Sequence, residues 1–125
     1  MTLPKRQPDP DSRAAVREAV AAIRDTKGDE IRVCDLAGIA DFSDWFVLAS
    51  GFSERQVQAI ADRVEERLKA RGTRPLHVEG YPAAQWILLD YGDFLVHVFR
   101  DEKRRFYGLE RLWSDAEDVT EEFLS

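Results

Sequence analysis

Residues 85–99 read Gln-Trp-Ile-Leu-Leu-Asp-Tyr-Gly-Asp-Phe-Leu-Val-His-Val-Phe, and no other stretch restricts the fold as much. Two apolar runs, rich in branched and aromatic residues, flank a short Asp-Tyr-Gly-Asp break, which is the pattern of a β-hairpin. With an even-numbered loop, centred on Tyr91-Gly92 or on Gly92-Asp93, side-chain alternation assigns the two faces in the same way. One face then carries Ile87, Leu89, Phe94, Val96 and Val98 and is wholly apolar. The other carries Trp86, Leu88, Asp90, Leu95, His97 and Phe99, placing two ionisable groups among large hydrophobes. Function is expected on that second face.

The flanking sequence supplies partners for the hairpin. Over residues 12–26 the apolar positions Ala15, Val16, Ala19, Val20, Ala22 and Ile23 recur at spacings of three and four, predicting an amphipathic helix with Ser12 as its cap and Gly28 just past its end. Residues 31–36 alternate as a strand, and residues 38–44 read as loop. Residues 45–50, Trp-Phe-Val-Leu-Ala-Ser, are apolar on both faces, so this strand should be central in a sheet. Ser53 and Gln56 have capping-box spacing ahead of a second helix with the stripe Val57, Ile60, Ala61, Val64 and Leu68. A brief extended piece, residues 77–79, precedes the hairpin. After it, Phe106, Leu109 and Trp113 fall on one helical face, although Gly108 weakens that helix. The predicted order is α-β-β-α-(β)-β-β-α, an α/β (α+β) fold with a mixed β-sheet flanked by helices. Residues 1–11, with three prolines, read as a flexible N-terminal tail, residues 12–116 as a single domain, and residues 117–125 as an acidic C-terminal tail, disordered in part.

A chain of 125 residues buries one core. Its formal net charge of −6 argues against unspecific binding to nucleic acid, which needs a basic footprint, and favours a partner that presents Lys and Arg. Direct nucleic-acid contact is therefore expected to be small. Cys34 stands alone, which excludes an internal disulfide, and nothing near it has metal-ligand spacing. Neither a membrane-spanning run nor a secretory signal is visible, so the expected location is cytoplasmic.

Three constellations could carry chemistry. Asp90 and Asp93 could ligate a divalent ion, but aspartates at such a break more commonly serve the turn through local hydrogen bonds. His97 lies diagonally across the predicted ladder from Asp90, and a base oriented by a carboxylate is conceivable. With no Ser or Cys nucleophile placed beside it, a structural or interface histidine is the better reading. Ser50-Gly51-Phe52-Ser53 joins a strand to a helix N-terminus, a place that can cradle phosphate. A small nucleotidyl- or phosphotransferase would pair such a turn with acidic residues on a neighbouring strand, yet no Asp-x-Asp or Glu-x-Glu occupies one, so hinge and cap are the expected roles. The three tryptophans and three tyrosines should be mostly core, but Trp86 and Trp113, beside charged residues, fit binding hot spots. An RNA-stacking surface would want basic neighbours.

In combination, Trp45-Phe-Val-Leu-Ala-Ser-Gly-x-Ser-x-Arg-Gln-Val57, Val78-Glu-Gly80, the hairpin itself and Arg105-x-Tyr-x-Leu-Glu-x-Leu-Trp113 resemble the ribosomal silencing factor family, also called RsfS or Iojap. The resemblance spans about residues 12–116 in consistent order. It implies a nucleotidyltransferase-like fold without the catalytic carboxylates, no enzymatic activity, no cofactor and no metal. It further implies binding to the large ribosomal subunit through ribosomal protein L-fourteen, on the face where the small subunit docks, which blocks subunit joining and represses translation when nutrients are scarce. Organellar relatives act in ribosome assembly. Carried onto this chain, the docking residues are expected to be Trp86, Leu88, Asp90, Tyr91, His97, Phe99, Tyr107, Leu109, Glu110 and Trp113. Oligomeric state is not legible in the sequence, although the resemblance and the unused apolar surface make a homodimer plausible.

Overall fold

A computed structural model describes residues 10–124. In chain order these form α1 (Pro10–Asp25), β1 (Asp29–Asp35), β2 (Trp45–Gly51), α2 (Glu54–Ala70), β3 (His77–Glu79), β4 (Trp86–Asp90), β5 (Phe94–Arg100), α3 (Asp101–Tyr107), α4 (Leu109–Leu112), β6 (Glu117–Asp118) and a closing 3₁₀ turn, Thr120–Phe123. The six strands make one mixed sheet in the order β3-β4-β5-β2-β1-β6. β2 pairs in parallel with β5, and α2 lies in the crossover between them, while the other pairings are antiparallel. All seven residues of β2 are buried, as a strand covered on both faces and flanked on both edges requires.

Helices α1 and α2 pack on one face of the sheet. Their apolar stripes meet Val33, Trp45, Val47, Ala49, Ile87, Leu89, Phe94, Val96 and Val98 in the main core. The hairpin's apolar face therefore sits under the helices, as its alternation predicts. The loop settles on Gly92-Asp93: Tyr91 N–H donates to the Phe94 carbonyl at 3.0 Å, and Gly92 takes φ +84°.

Several expectations are corrected in detail. Helix α1 begins at Pro10, two residues before the expected cap. Ser12 lies in the first turn, where its buried hydroxyl accepts from the Trp45 indole N–H at 3.3 Å. At the other end of α1 the left-handed residue is Lys27 (φ 59°), not Gly28. Gly28 is needed for close approach, because a Cβ there would stand 2.4 Å from Ile23 Cγ2. Of the expected N-terminal tail, residues 1–9 lie outside the described residues and residues 10 and 11 are helical.

The expected acidic tail is instead packed. β6 pairs with β1, Val33 N–H donates to Thr120 Oγ1 at 2.9 Å, and Val119 and Phe123 are buried. Phe123 meets Trp45 edge-on at 5.4 Å, with the Arg13 guanidinium 5.0 Å from its centroid. The acids around these apolar anchors hide the pattern, since the two buried ones, Val119 and Phe123, four apart, are outnumbered by them, with Leu124 packing only partly against the core. The helix expected over residues 106–113 is also broken. Gly108 adopts φ 65°, separating α3 from α4, and this turns Phe106 out to solvent while Leu109 and Trp113 pack inward.

Candidate docking interface

The sheet face opposite α1 and α2 has much thinner cover. Its second cluster holds Cys34, Leu36, Phe46, Leu48 and Phe99, over which Trp86, Leu95, Leu109 and Trp113 are only partly buried. The register places Trp86 opposite Phe99 and Leu88 opposite His97, so the mixed face expected from alternation is the face that exists.

Trp86 is fixed there by several contacts. Its indole N–H donates to His97 Nδ1 at 3.0 Å, and its rings lie 5.1 Å from Phe99 and 4.8 Å from Tyr107. A ring that accepts at Nδ1 carries its neutral-state proton on Nε2. His97 Nε2 is buried and has no hydrogen-bond partner among the described residues, and the imidazole meets Phe46 edge-to-face at 4.9 Å. Burial lowers the His97 pKa from 6.5 to about 3, so the ring stays neutral throughout physiological pH. A base that weak lies far from the range in which general-base catalysis is efficient. Asp90 does not orient it either: Asp90 Oδ1 accepts from Gly92 N–H at 2.8 Å, in service of the turn.

The remaining motifs are also committed to structure. Ser50 is fully buried, and its hydroxyl accepts from Arg104 Nη1 at 2.9 Å. At the start of α2, Gln56 N–H donates to Ser53 Oγ at 3.0 Å, and Phe52 N–H donates to Gln56 Oε1 at 2.7 Å. Side chains thus occupy two of the backbone donors at this helix start. Burial pushes the Cys34 thiol up to about 11, so it stays protonated and unreactive. Among the described residues, no group of three or more His, Cys, Asp and Glu could hold a metal ion, and no helix is long and apolar enough to cross a membrane.

Of the ten residues named from the sequence, Trp86, Leu88, His97, Phe99, Tyr107, Leu109 and Trp113 come together on this face, and Glu110 stands at its border. Phe99 forms the floor, with no exposed surface. Glu110 acts as a clasp: it accepts from the buried Arg104 at 2.8 Å and lies 3.2 Å from Arg32. The Arg104 hydrogen bond holds its carboxyl below the usual range. Arg104 also donates to the Glu30 carbonyl, at 2.6 Å, which ties α3 to β1. Asp90 lies at the turn, away from this clasp. Tyr91 does not belong to the face, because it stacks on Phe94 at 4.8 Å within the helix-side core.

Sequence reasoning missed Phe42, which is 52% exposed and lies 5.6 Å from Trp113 and 6.1 Å from Phe46. Its signal was an aromatic ring inside a loop that otherwise looked unremarkable. Ile39, in the same loop as Phe42, and Leu112, on α4, are further exposed apolar side chains.

A family model described as "ribosomal silencing factor during starvation" matches residues 9–125. The chain belongs to the ribosomal silencing factor family. Among relatives, it is 41% identical to the ribosomal silencing factor RsfS of Halalkalibacterium halodurans over 101 residues, covering 81% of this chain and 86% of that one. The RsfS of Bacillus subtilis is 38% identical, over 83% of this chain and 88% of its own. A crystal structure of a Chromobacterium violaceum protein superposes with a TM-score of 0.80 at 33% identity, covering 82% of this chain and 85% of that one. The mixed sheet and its helices are thus the architecture of a silencing-factor relative, and the family is one of ribosome-associated regulators.

Proposed function

We propose that this chain silences translation by occupancy. Its helix-poor face docks on the large ribosomal subunit through ribosomal protein L-fourteen, in the cytoplasm, and the bound domain stands where the small subunit would join. The observation that carries this reading is the aromatic face itself. Trp86, Tyr107, Trp113 and Phe42 are partly exposed and mutually braced above a buried floor, and large rings held in this way are the usual anchors of protein interfaces. The acidic balance of the chain suits a basic ribosomal protein, since complementary charge speeds encounter and selects partners. The arrangement needs no chemistry: a neutral buried histidine and a capped helix start serve packing. A homodimer formed through the same patch would compete with docking and would have to open first.

The test is sedimentation with separated large and small subunits, followed by a subunit-joining assay. Wild type should travel with large subunits only and should suppress joining. Folded Trp86→Ala should bind large subunits more than tenfold more weakly, which corresponds to about 1.4 kcal/mol. Unchanged co-sedimentation of that variant would refute this placement of the surface.

A further inference from the structure

The α3–α4 segment runs against the charge of the chain. Its three carboxylates are all engaged internally: Asp101 and Glu102 face Arg100 at 4.0 and 2.9 Å, and Glu110 is held by Arg104 and Arg32. Arg105 and Arg111 are exposed and have no ion pair among the described residues. The Lys103 ammonium lies 5.5 Å from the Phe106 centroid. Between these cations stand rings turned to solvent. Phe106 is 77% exposed and meets Tyr107 edge-on at 5.4 Å. The break at Gly108 creates this ridge, because it directs Leu109 and Trp113 onto the sheet and leaves Phe106, Arg111 and Leu112 outside.

We infer that this ridge is an RNA-contact element, with Arg105, Arg111 and Lys103 on phosphates and Phe106 against an unstacked base. Cations interleaved with solvent-exposed aromatic rings are the combination that binds single-stranded nucleic acid, the rings by stacking and the cations by displacing counterions. Protein carboxylates would also satisfy the cations, so the crosslinking arm below separates that occupant from RNA. The net charge of −6 confines RNA contact to this ridge, so the chain does not adhere to RNA generally. Tyr107 touches both Phe106 and Trp86, so the ridge is continuous with the proposed docking patch. The inference rests on large-subunit docking and adds ribosomal RNA as a second contact beside the protein one.

The experiment measures binding of the full-length chain to purified large subunits across a series of KCl concentrations, for wild type and for Arg105→Glu/Arg111→Glu. The expected result is at least a tenfold loss of affinity at low salt. The slope of log K against log salt should also become shallower by about 1 to 2. In parallel, a photoreactive benzophenone amino acid replaces Phe106, and the crosslinked product is treated with ribonuclease. A ribonuclease-sensitive adduct supports the ridge. Unchanged affinity and slope in the double variant, with wild type still bound, would overturn the ridge alone, and an adduct to protein only would overturn RNA as its occupant. Failure of wild type to bind large subunits at all would overturn the docking reading and this inference with it.

Discussion

His97 makes stability depend on pH in a way that can be calculated. The ring is buried and neutral in the folded state, with a pKa of about 3, whereas in the unfolded chain it returns to 6.5. Protonation therefore favours unfolding. The stability it contributes is complete above pH 6.5 and is lost progressively as pH falls from 6.5 towards 3. By linkage, at pH 5 the unfolded state has gained about 1.5 pKa units of protonation free energy that the folded state has not, or about 2 kcal/mol at 1.36 kcal/mol per unit. His97→Gln removes the titration and keeps an acceptor for the Trp86 indole. Urea unfolding of both proteins at pH 8 and at pH 5 isolates the effect, because whatever titrates alike in the two proteins cancels in the double difference. Wild type should lose about 2 kcal/mol more than the variant, which moves its midpoint by about 1 M at an m-value near 2 kcal/mol/M. Parallel pH dependence in the two proteins would show that His97 is solvated or charged in the native state, and the neutral, indole-bound imidazole would have to be abandoned.

Three further perturbations test the frame around the face. Phe123→Ala should cost about 3 kcal/mol in chemical denaturation, because the ring is buried against Trp45, whereas a loose tail would register almost nothing. Gly80→Ala should cost about 2 to 4 kcal/mol, since Gly80 sits at φ +80° and a Cβ would stand 2.1 Å from the Trp86 carbonyl oxygen, and thermal melting would show a drop of about 10 °C. Glu110→Gln should cost about 1 to 2 kcal/mol at neutral pH, a value discounted because the Glu110 side chain is 32% exposed although Arg104 is buried. Since the Glu110 carboxyl is lowered from 4.5, its contribution is full above that pH and lost as pH falls through the lowered value, so wild type and variant should converge in acid.

The large features of the fold are legible because each rests on a local period. Alternation across β4 and β5 separates the helix-side residues from Trp86, Leu88 and His97, and the unbroken apolar run of β2 marks the sheet centre. Features set by single contacts are not legible in this way. Nothing in the sequence shows that Lys27 rather than Gly28 turns left-handed, because the decision lies in how closely Gly28 approaches Ile23. The packed C-terminus is hidden because two anchors, Val119 and Phe123, are outnumbered by acids whose role is at the surface. Tyr91 is expected in the docking surface from its neighbours in sequence, yet it closes the hairpin and stacks on Phe94 across the two-residue loop. Phe42 is not legible because a loop ring has no period, and only the fold brings it against Trp113.

The polar groups of this face are more informative about rigidity than about chemistry. A docking tryptophan with free rotamers must be ordered on binding, at a cost of about 0.5–1.5 kcal/mol for each side chain immobilised. Trp86 has already been ordered by folding, through the His97 acceptor on its indole and the flanking Phe99 and Tyr107 rings. Arg104 does the same for the opposite border, because one buried guanidinium joins the Glu30 carbonyl, Ser50 and Glu110, and so holds the α3–α4 segment against the sheet. His97 and Ser50 are both spent inward, and through Trp86 and Arg104 they fix the positions of rings that face outward, which suits the docking proposed above.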